Sequence, residues 1–250
     1  MSIRVLAYVT PKSATALTSA ESEGALRRVG SLPELARAVV EEYAPCVIIE
    51  VPPDGERELA FAKSLARTFD LLEGAVVTDR DDPELRELQL QLFSPEELHR
   101  DDFQETLLSR IRENRRKFHR FDWPLQGTLQ VDGTATEYQV RSIGAGGAHL
   151  ESVSPGPPPN TEATITIRFR NFALTTACKV LDSRMPSSKL PPGFAVRFEE
   201  LSQKAQETID SIVRDALMDA LLNPEDEPEV PSLDADADAF EDPALSMLTM

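Results

Sequence analysis

Cysteine, histidine and aromatic residues are scarce in this chain. It has two cysteines, Cys46 and Cys178, and three histidines, His99, His119 and His149, none of them spaced as zinc ligands. Neither a disulfide framework nor a metal is expected, and the cysteine usage fits a reducing cytoplasm. No stretch approaches the roughly 20 uncharged apolar residues of a membrane-spanning helix, so a soluble protein without membrane insertion is expected. The opening residues, MSIRVLAYVTPK, hold an apolar run only from Val5 to Val9 and read as a first β-strand, not a secretion signal. Catalytic groupings are missing too. Ser, His and Cys do not fall together at useful spacing, and the pairs Asp81-Asp82 and Asp101-Asp102 sit where helix starts are expected, so capping accounts for them. Neither enzymatic activity nor a cofactor is expected.

Positive charge is in short supply as well: 26 basic against 43 acidic residues give a net charge of -17 over 250 residues. Such a chain repels polyanions, which excludes general binding to nucleic-acid polymers. The deficit is uneven. Residues 1 to 109 carry 11 basic and 21 acidic residues, residues 110 to 222 carry 15 and 13, and residues 223 to 250 carry 0 and 9. Between Arg110 and Arg120 lie six basic residues and one acid, Glu113, so this is where an anion would be welcome. Taken alone, the run would read as a solvated helix end.

The first 110 residues alternate short apolar runs with amphipathic stretches, the pattern of a parallel sheet with crossover helices. Strands are expected at Ile3 to Val9, Cys46 to Val51, Gly74 to Thr78 and Leu90 to Phe93, with a weaker one near Ala25 to Val29. Helices are expected at Leu32 to Tyr43, Glu56 to Phe69 and Asp102 to about Lys117. From Pro124 the period changes to two. Leu125, Gly127, Leu129 and Val131 alternate with polar positions, Asp132-Gly133 supplies a hairpin turn, Thr136 to Ile143 returns, and further strands follow to Phe198. Six short antiparallel strands of this kind predict a small barrel, closed by a helix that Ser202 caps and that runs to about Leu222. Beyond Asn223 the proline-rich acidic composition predicts a disordered tail. The expected division is therefore 1–109 for the α/β domain, 110–123 for a basic arm, 124–222 for the barrel and its helix, and 223–250 for the tail.

Two strings give the barrel an identity. The first is Arg116-Lys117-Phe118-His119-Arg120, preceded by Arg115; the second is Ser142-Ile143-Gly144-Ala145-Gly146-Gly147. Together with the barrel they resemble the PilZ domain, the bacterial receptor module for cyclic di-GMP, over roughly Asn114 to Ala220. That family reads its ligand with an R-x-x-x-R arm and a [DN]-x-S-x-x-G turn. Here the arm is intact, whereas in the turn Ser142 replaces the acid or amide, Gly144 replaces the serine, and Gly147 matches. The resemblance implies a ligand site of Arg115, Arg116, Arg120, Ser142, Gly144 and Gly147. Arginine forks suit guanine O6 and N7 or a phosphate. A serine at 142 reaches guanine N–H groups less well than a carboxylate, and Gly144 offers no hydroxyl. Restoring Asp at 142 and Ser at 144 would strengthen binding if the rest of the pocket is kept.

The first 110 residues resemble a receiver domain of two-component signalling. Ala44 to Gly55 resembles the third strand and its loop, Val76 to Asp79 the fourth strand ending at Thr78, and Leu92 to Leu98 the fifth. Receivers hold Mg²⁺ and a phosphoryl group with an acidic pair, an acceptor aspartate and a lysine. This chain has Tyr8-Val9-Thr10, Glu50 or Val51, and Ser94 at those places, so it reads as a pseudo-receiver, a docking platform for a protein partner. The expected function is a non-catalytic cyclic di-GMP effector. The alternative is a degenerate PilZ protein that binds no nucleotide and acts by protein contacts alone.

Overall fold

A computed structural model describes residues 5–18, 21, 26–42, 46–69, 73–88, 90–100, 103, 118–154, 156–184, 192–226, 229–233 and 242–248. Its internal contacts divide it into two units, Met1–Arg115 with Leu217–Glu227, and Arg116–Ala216 with Pro228–Met250. The expected helix over 102–117 falls almost wholly outside the described residues, as do Ile3 and Arg4 of the first strand.

In the first unit five strands form one parallel sheet: β1 (Val5–Tyr8), β2 (Leu26–Arg28), β3 (Cys46–Glu50), β4 (Glu73–Val77) and β5 (Gln91–Phe93). Their order is β2-β1-β3-β4-β5, the flavodoxin-like doubly wound arrangement. β3 is buried along Cys46, Val47, Ile48 and Ile49, as expected of a central strand covered on both faces. Helices α1 (Pro11–Ala14), α2 (Leu32–Glu42), α3 (Glu56–Thr68) and α4 (Pro83–Glu87) make the crossovers. Leu35, Ala36, Val39 and Val40 give α2 one buried stripe, and Leu59, Phe61, Ala62 and Leu65 do the same for α3. Asp82 caps α4, accepting from the Glu84 and Leu85 amides at 2.9 and 3.3 Å, so this acid does what capping predicts.

The second unit is an antiparallel barrel of β6 (Leu125–Val131), β7 (Thr134–Gly144), β8 (Gly147–Glu151), β9 (Glu162–Arg168), β10 (Phe172–Arg184) and β11 (Gly193–Phe198). The strands run β11-β8-β7-β6-β9-β10, and β10 closes on β11. Asp132 and Gly133 both take positive φ, 48° and 81°, which lets two residues reverse the chain between β6 and β7. Inward residues Leu125, Leu129, Val140, Ile143, Leu150, Ile165, Ile167, Leu174, Val180 and Val196 fill the core. Helix α5 (Gln203–Leu222) follows, capped by Ser202, whose Oγ accepts from the Ala205 amide at 3.0 Å. A parallel α/β domain followed by a six-stranded barrel and its helix is the fold class that the sequence predicts.

The expectation of a disordered acidic tail fails over 242–248, within the described residues. Leu245–Met247 forms a further strand, β12, antiparallel to Phe172–Leu174 of β10. β10 is long enough that β11 pairs only with Cys178–Arg184, leaving the edge of its first half open. Leu245, buried to 2% exposure, supplies the apolar anchor. Averaging the composition over 28 residues hides one well-placed leucine and an unpaired sheet edge waiting for it.

Candidate functional site

The hairpin of β7 and β8 turns through Ala145 and Gly146. Two neighbours hold this turn: the Phe198 N–H donates to the Gly146 carbonyl at 3.2 Å, and Gln206 of α5 reaches the Ala145 carbonyl at 3.5 Å. Along its other side runs the end of the arm. Phe121 and Ile143 exchange two backbone hydrogen bonds, 2.9 and 3.0 Å, so the arm joins β7 as a one-residue bridge. Beyond the bridge His119 is buried, while Arg120 is half-buried. Phe121 and Trp123 are 7% and 1% exposed, with ring centroids 4.6 Å apart.

Gly144 faces the arm directly. A Cβ at this position would overlap the His119 carbonyl oxygen and come within 3.2 Å of Arg120 Cγ, so only glycine lets the arm lie this close. Its φ is not among the positive values; crowding, not backbone conformation, excludes a side chain. The expected gain from a serine at 144 therefore meets a steric cost. Gly146 is limited less tightly, since a Cβ there would stand 3.0 Å from the Phe118 ring. Gly147 is limited from the opposite side, where a Cβ would overlap the Val196 carbonyl oxygen.

Of the expected site residues, Arg120, Ser142, Gly144 and Gly147 are placed on this one hairpin and its flanking arm, and Arg115 and Arg116 lie outside the described residues. Ser142 is half-buried, directly across from His149 of β8, just after a bulge in β7 at Arg141. The bulge re-aims Arg141 toward the Asp122 and Glu151 carboxylates, at 3.6 and 3.9 Å.

Sequence reasoning missed Arg197. The register Gly144↔Gly147↔Arg197↔Lys179 puts a second pair of cations in the same cross-strand row as the turn glycines. Arg197 holds Glu199 at 2.6 Å, and that hydrogen bond keeps the Glu199 carboxyl below the usual range. The alternation of Phe194, Val196 and Phe198 inward already implied an outward 197; what sequence lacked was the neighbour across the sheet.

The strand ends of the first unit tell a different story. Glu50, at the end of β3, accepts from the Thr10 amide (2.6 Å), the Thr10 hydroxyl (3.1 Å) and the Ser13 hydroxyl (2.9 Å). Val51 is buried and donates its amide to the Val77 carbonyl. Thr78 Oγ1 accepts from the Arg80 amide, and Ser94 Oγ from the Glu97 amide. The Glu50 carboxylate is thus occupied in tying β3 to the start of α1. Among the described residues no group of three His, Cys, Asp or Glu side chains is arranged to hold a metal ion.

A closed six-stranded antiparallel barrel with an appended helix, and an arm seated on one of its hairpins, defines the class of small closed β-barrels. Residues 114–215 match the PilZ domain family, and this stretch is a PilZ domain. No curated protein matches the chain. Similar solved structures include the inhibitor of motility MotI/DgrA of Bacillus subtilis, at 16% identity and a TM-score of 0.36, covering 41% of this chain and 50% of that one. YcgR of Escherichia coli in complex with c-di-GMP has 13% identity and a TM-score of 0.37, covering 45% and 50%. PlzA of Borreliella burgdorferi in complex with c-di-GMP has 11% identity and a TM-score of 0.31, covering 54% and 50%. The chain thus spans about half the length of each. No helix among the described residues is long and apolar enough to cross a membrane.

Proposed function

We propose that this protein is a non-catalytic effector of bacterial signalling that takes cyclic di-GMP between the arginine arm and the β7–β8 turn. The observation that carries this reading is the bridge between Phe121 and Ile143, which seats Arg120 next to Gly144 within a PilZ domain. Arg116 and Arg120 clasp guanine edges or phosphates, and Ser142 offers the ligand one hydroxyl. The missing acid and hydroxyl cost affinity, about 1 to 3 kcal/mol per contact or roughly 5- to 150-fold. The first unit acts as a receiver-like platform for a protein partner in the cytoplasm, with Glu50 committed to Thr10 and Ser13 instead of to phosphoryl chemistry.

Calorimetric titration with cyclic di-GMP tests the reading. Saturable binding is expected in the wild type, and Arg120→Ala or Arg116→Ala should weaken it by at least ~10-fold with little change in thermal midpoint. Equal binding by wild type and both variants would show that the site is elsewhere. The second reading, an interaction module without nucleotide, draws support from the arm backbone already lying against Gly144, and absence of binding both by calorimetry and by equilibrium dialysis would favour it.

A further inference from the structure

The described residues of the C-terminal segment touch the barrel at several places. Trp123 Nε1 donates to the Glu229 carbonyl at 3.1 Å, while Arg170 in the β9–β10 turn reaches the Glu229 carboxylate at 3.4 Å. Asn171 bonds Leu233 in both directions: its Nδ2 donates to the carbonyl at 2.6 Å and its Oδ1 accepts from the amide at 2.9 Å, as a backbone strand partner would. β12 then lies on β10, flanked by the Thr175 amide bonding the Ala244 carbonyl (2.8 Å) and the Leu248 amide bonding the Asn171 carbonyl (2.9 Å). Asp242, 7% exposed, accepts the hydroxyl of Ser202 at the start of α5.

This attachment is mostly polar. Leu245 is the one large apolar side chain of the described tail that is fully buried, and Met247 is 46% exposed. A short ladder with so little apolar burial opens at far lower cost than the barrel strands do. Yet it is joined to the binding site. Trp123 follows Arg120 by three positions, its ring touches Phe121 at 4.6 Å and Phe169 at 6.5 Å, and Phe121 is bridged to Ile143 at the turn. From Glu229 to the β7–β8 turn the contacts are continuous.

We propose that the acidic C-terminal segment is a releasable strap coupled to the arginine arm through Trp123. Docked, it fixes the root of the arm and holds the Glu229 and Asp242 carboxylates against the barrel that carries the arm. Released, it loosens the bridge at Phe121 and removes that negative field. Coupling is reciprocal, so an anionic ligand at the arm favours release; this consequence, unlike the strap itself, rests on the function proposed above.

Amide hydrogen exchange on the full chain, read residue by residue by NMR, tests it with Leu245→Asp. Thr175 and Leu248 should lose protection by ~10-fold or more, Phe121 and Ile143 should lose part of theirs, and Leu129 in the β6 ladder should keep its own. Loss at Thr175 with Phe121 and Ile143 unchanged would overturn the coupling. Loss at Leu129 as well would make the segment an integral strand and overturn release. Trp123→Phe, which keeps a ring but removes the donor, tests the link from the other end: Thr175 and Leu248 should exchange faster, and unchanged rates would overturn the proposal. Titration with cyclic di-GMP should give tighter binding to Leu245→Asp than to wild type. If neither binds, the proposed function fails while the exchange rates still decide the strap; equal finite affinities would remove its inhibitory role.

Discussion

At the scale of single residues Gly144 decides most. Written in a row of letters, the turn looks like a family motif that has lost its serine, and restoring it looks like a gain. In space the His119 carbonyl fills the volume that a Cβ would need. Gly144→Ser should therefore push the arm off the hairpin or strain it, costing about 1 to 3 kcal/mol of stability in the second unit. A lower thermal midpoint, together with faster exchange at Phe121 and Ile143, would register this. Ser142→Asp, at a half-buried position, should by contrast strengthen cyclic di-GMP binding by ~10-fold without loss of stability. A variant that folds normally and binds no better would show a remodelled pocket. Motif positions were legible because they are local. The close approach was not, because it comes from two segments separated by more than twenty residues.

Among the elements, those that carry a strong period were legible: β3 and β4 from apolar runs, α2 and α3 from their buried stripes, the barrel strands from alternation. Elements stabilised by one or two contacts were not, β12 above all. The short α4 lies between these cases, since its acids announce a cap but five residues cannot show a period. Its position is fixed by Lys63 of α3, whose Nζ lies 2.9 Å from Asp82 and 2.8 Å from Glu84. The Lys63 hydrogen bond holds the Asp82 carboxyl below its ordinary value of 3.8, and the bond to Glu84 raises the Lys63 amine above its ordinary value of 10.5. A depressed carboxyl stabilises the folded state above its unfolded value and stops doing so as pH falls through the folded one; a raised amine stabilises below its unfolded value and stops as pH rises through the folded one. The cluster should thus support the first unit across neutral pH and fail below about 3.8 and above about 10.5. Lys63→Met should lower the thermal midpoint at pH 7 and flatten its fall on acidification. An unchanged acid limb in scanning calorimetry would show that the cluster contributes nothing.

For the whole molecule, the switch from a 3.6-residue to a two-residue period near Pro124 marks two kinds of architecture. The sequence could not show that the chain returns, with Leu217–Glu227 counted in the first unit and Pro228–Met250 in the second, because such returns are decided by which surface a late segment meets. The first unit is expected to stay unmodified by acetyl phosphate and Mg²⁺, since Glu50 is bonded to Thr10 and Ser13. An aspartyl phosphate found there by mass spectrometry would make the protein a phosphorylation-controlled regulator. The two cysteines also fall one to each unit, Cys46 in β3 and Cys178 in β10, at 0% and 2% exposure. Burial pushes the Cys178 thiol up to about 11, so at pH 8, three units lower, only about one molecule in a thousand carries its thiolate even before access is considered. A disulfide reagent added to the native protein should then modify the chain in two separate, slow steps. Each rate is a stopwatch on one unit's excursions, and a nucleotide that steadies the barrel should slow the Cys178 step while leaving the Cys46 step untouched.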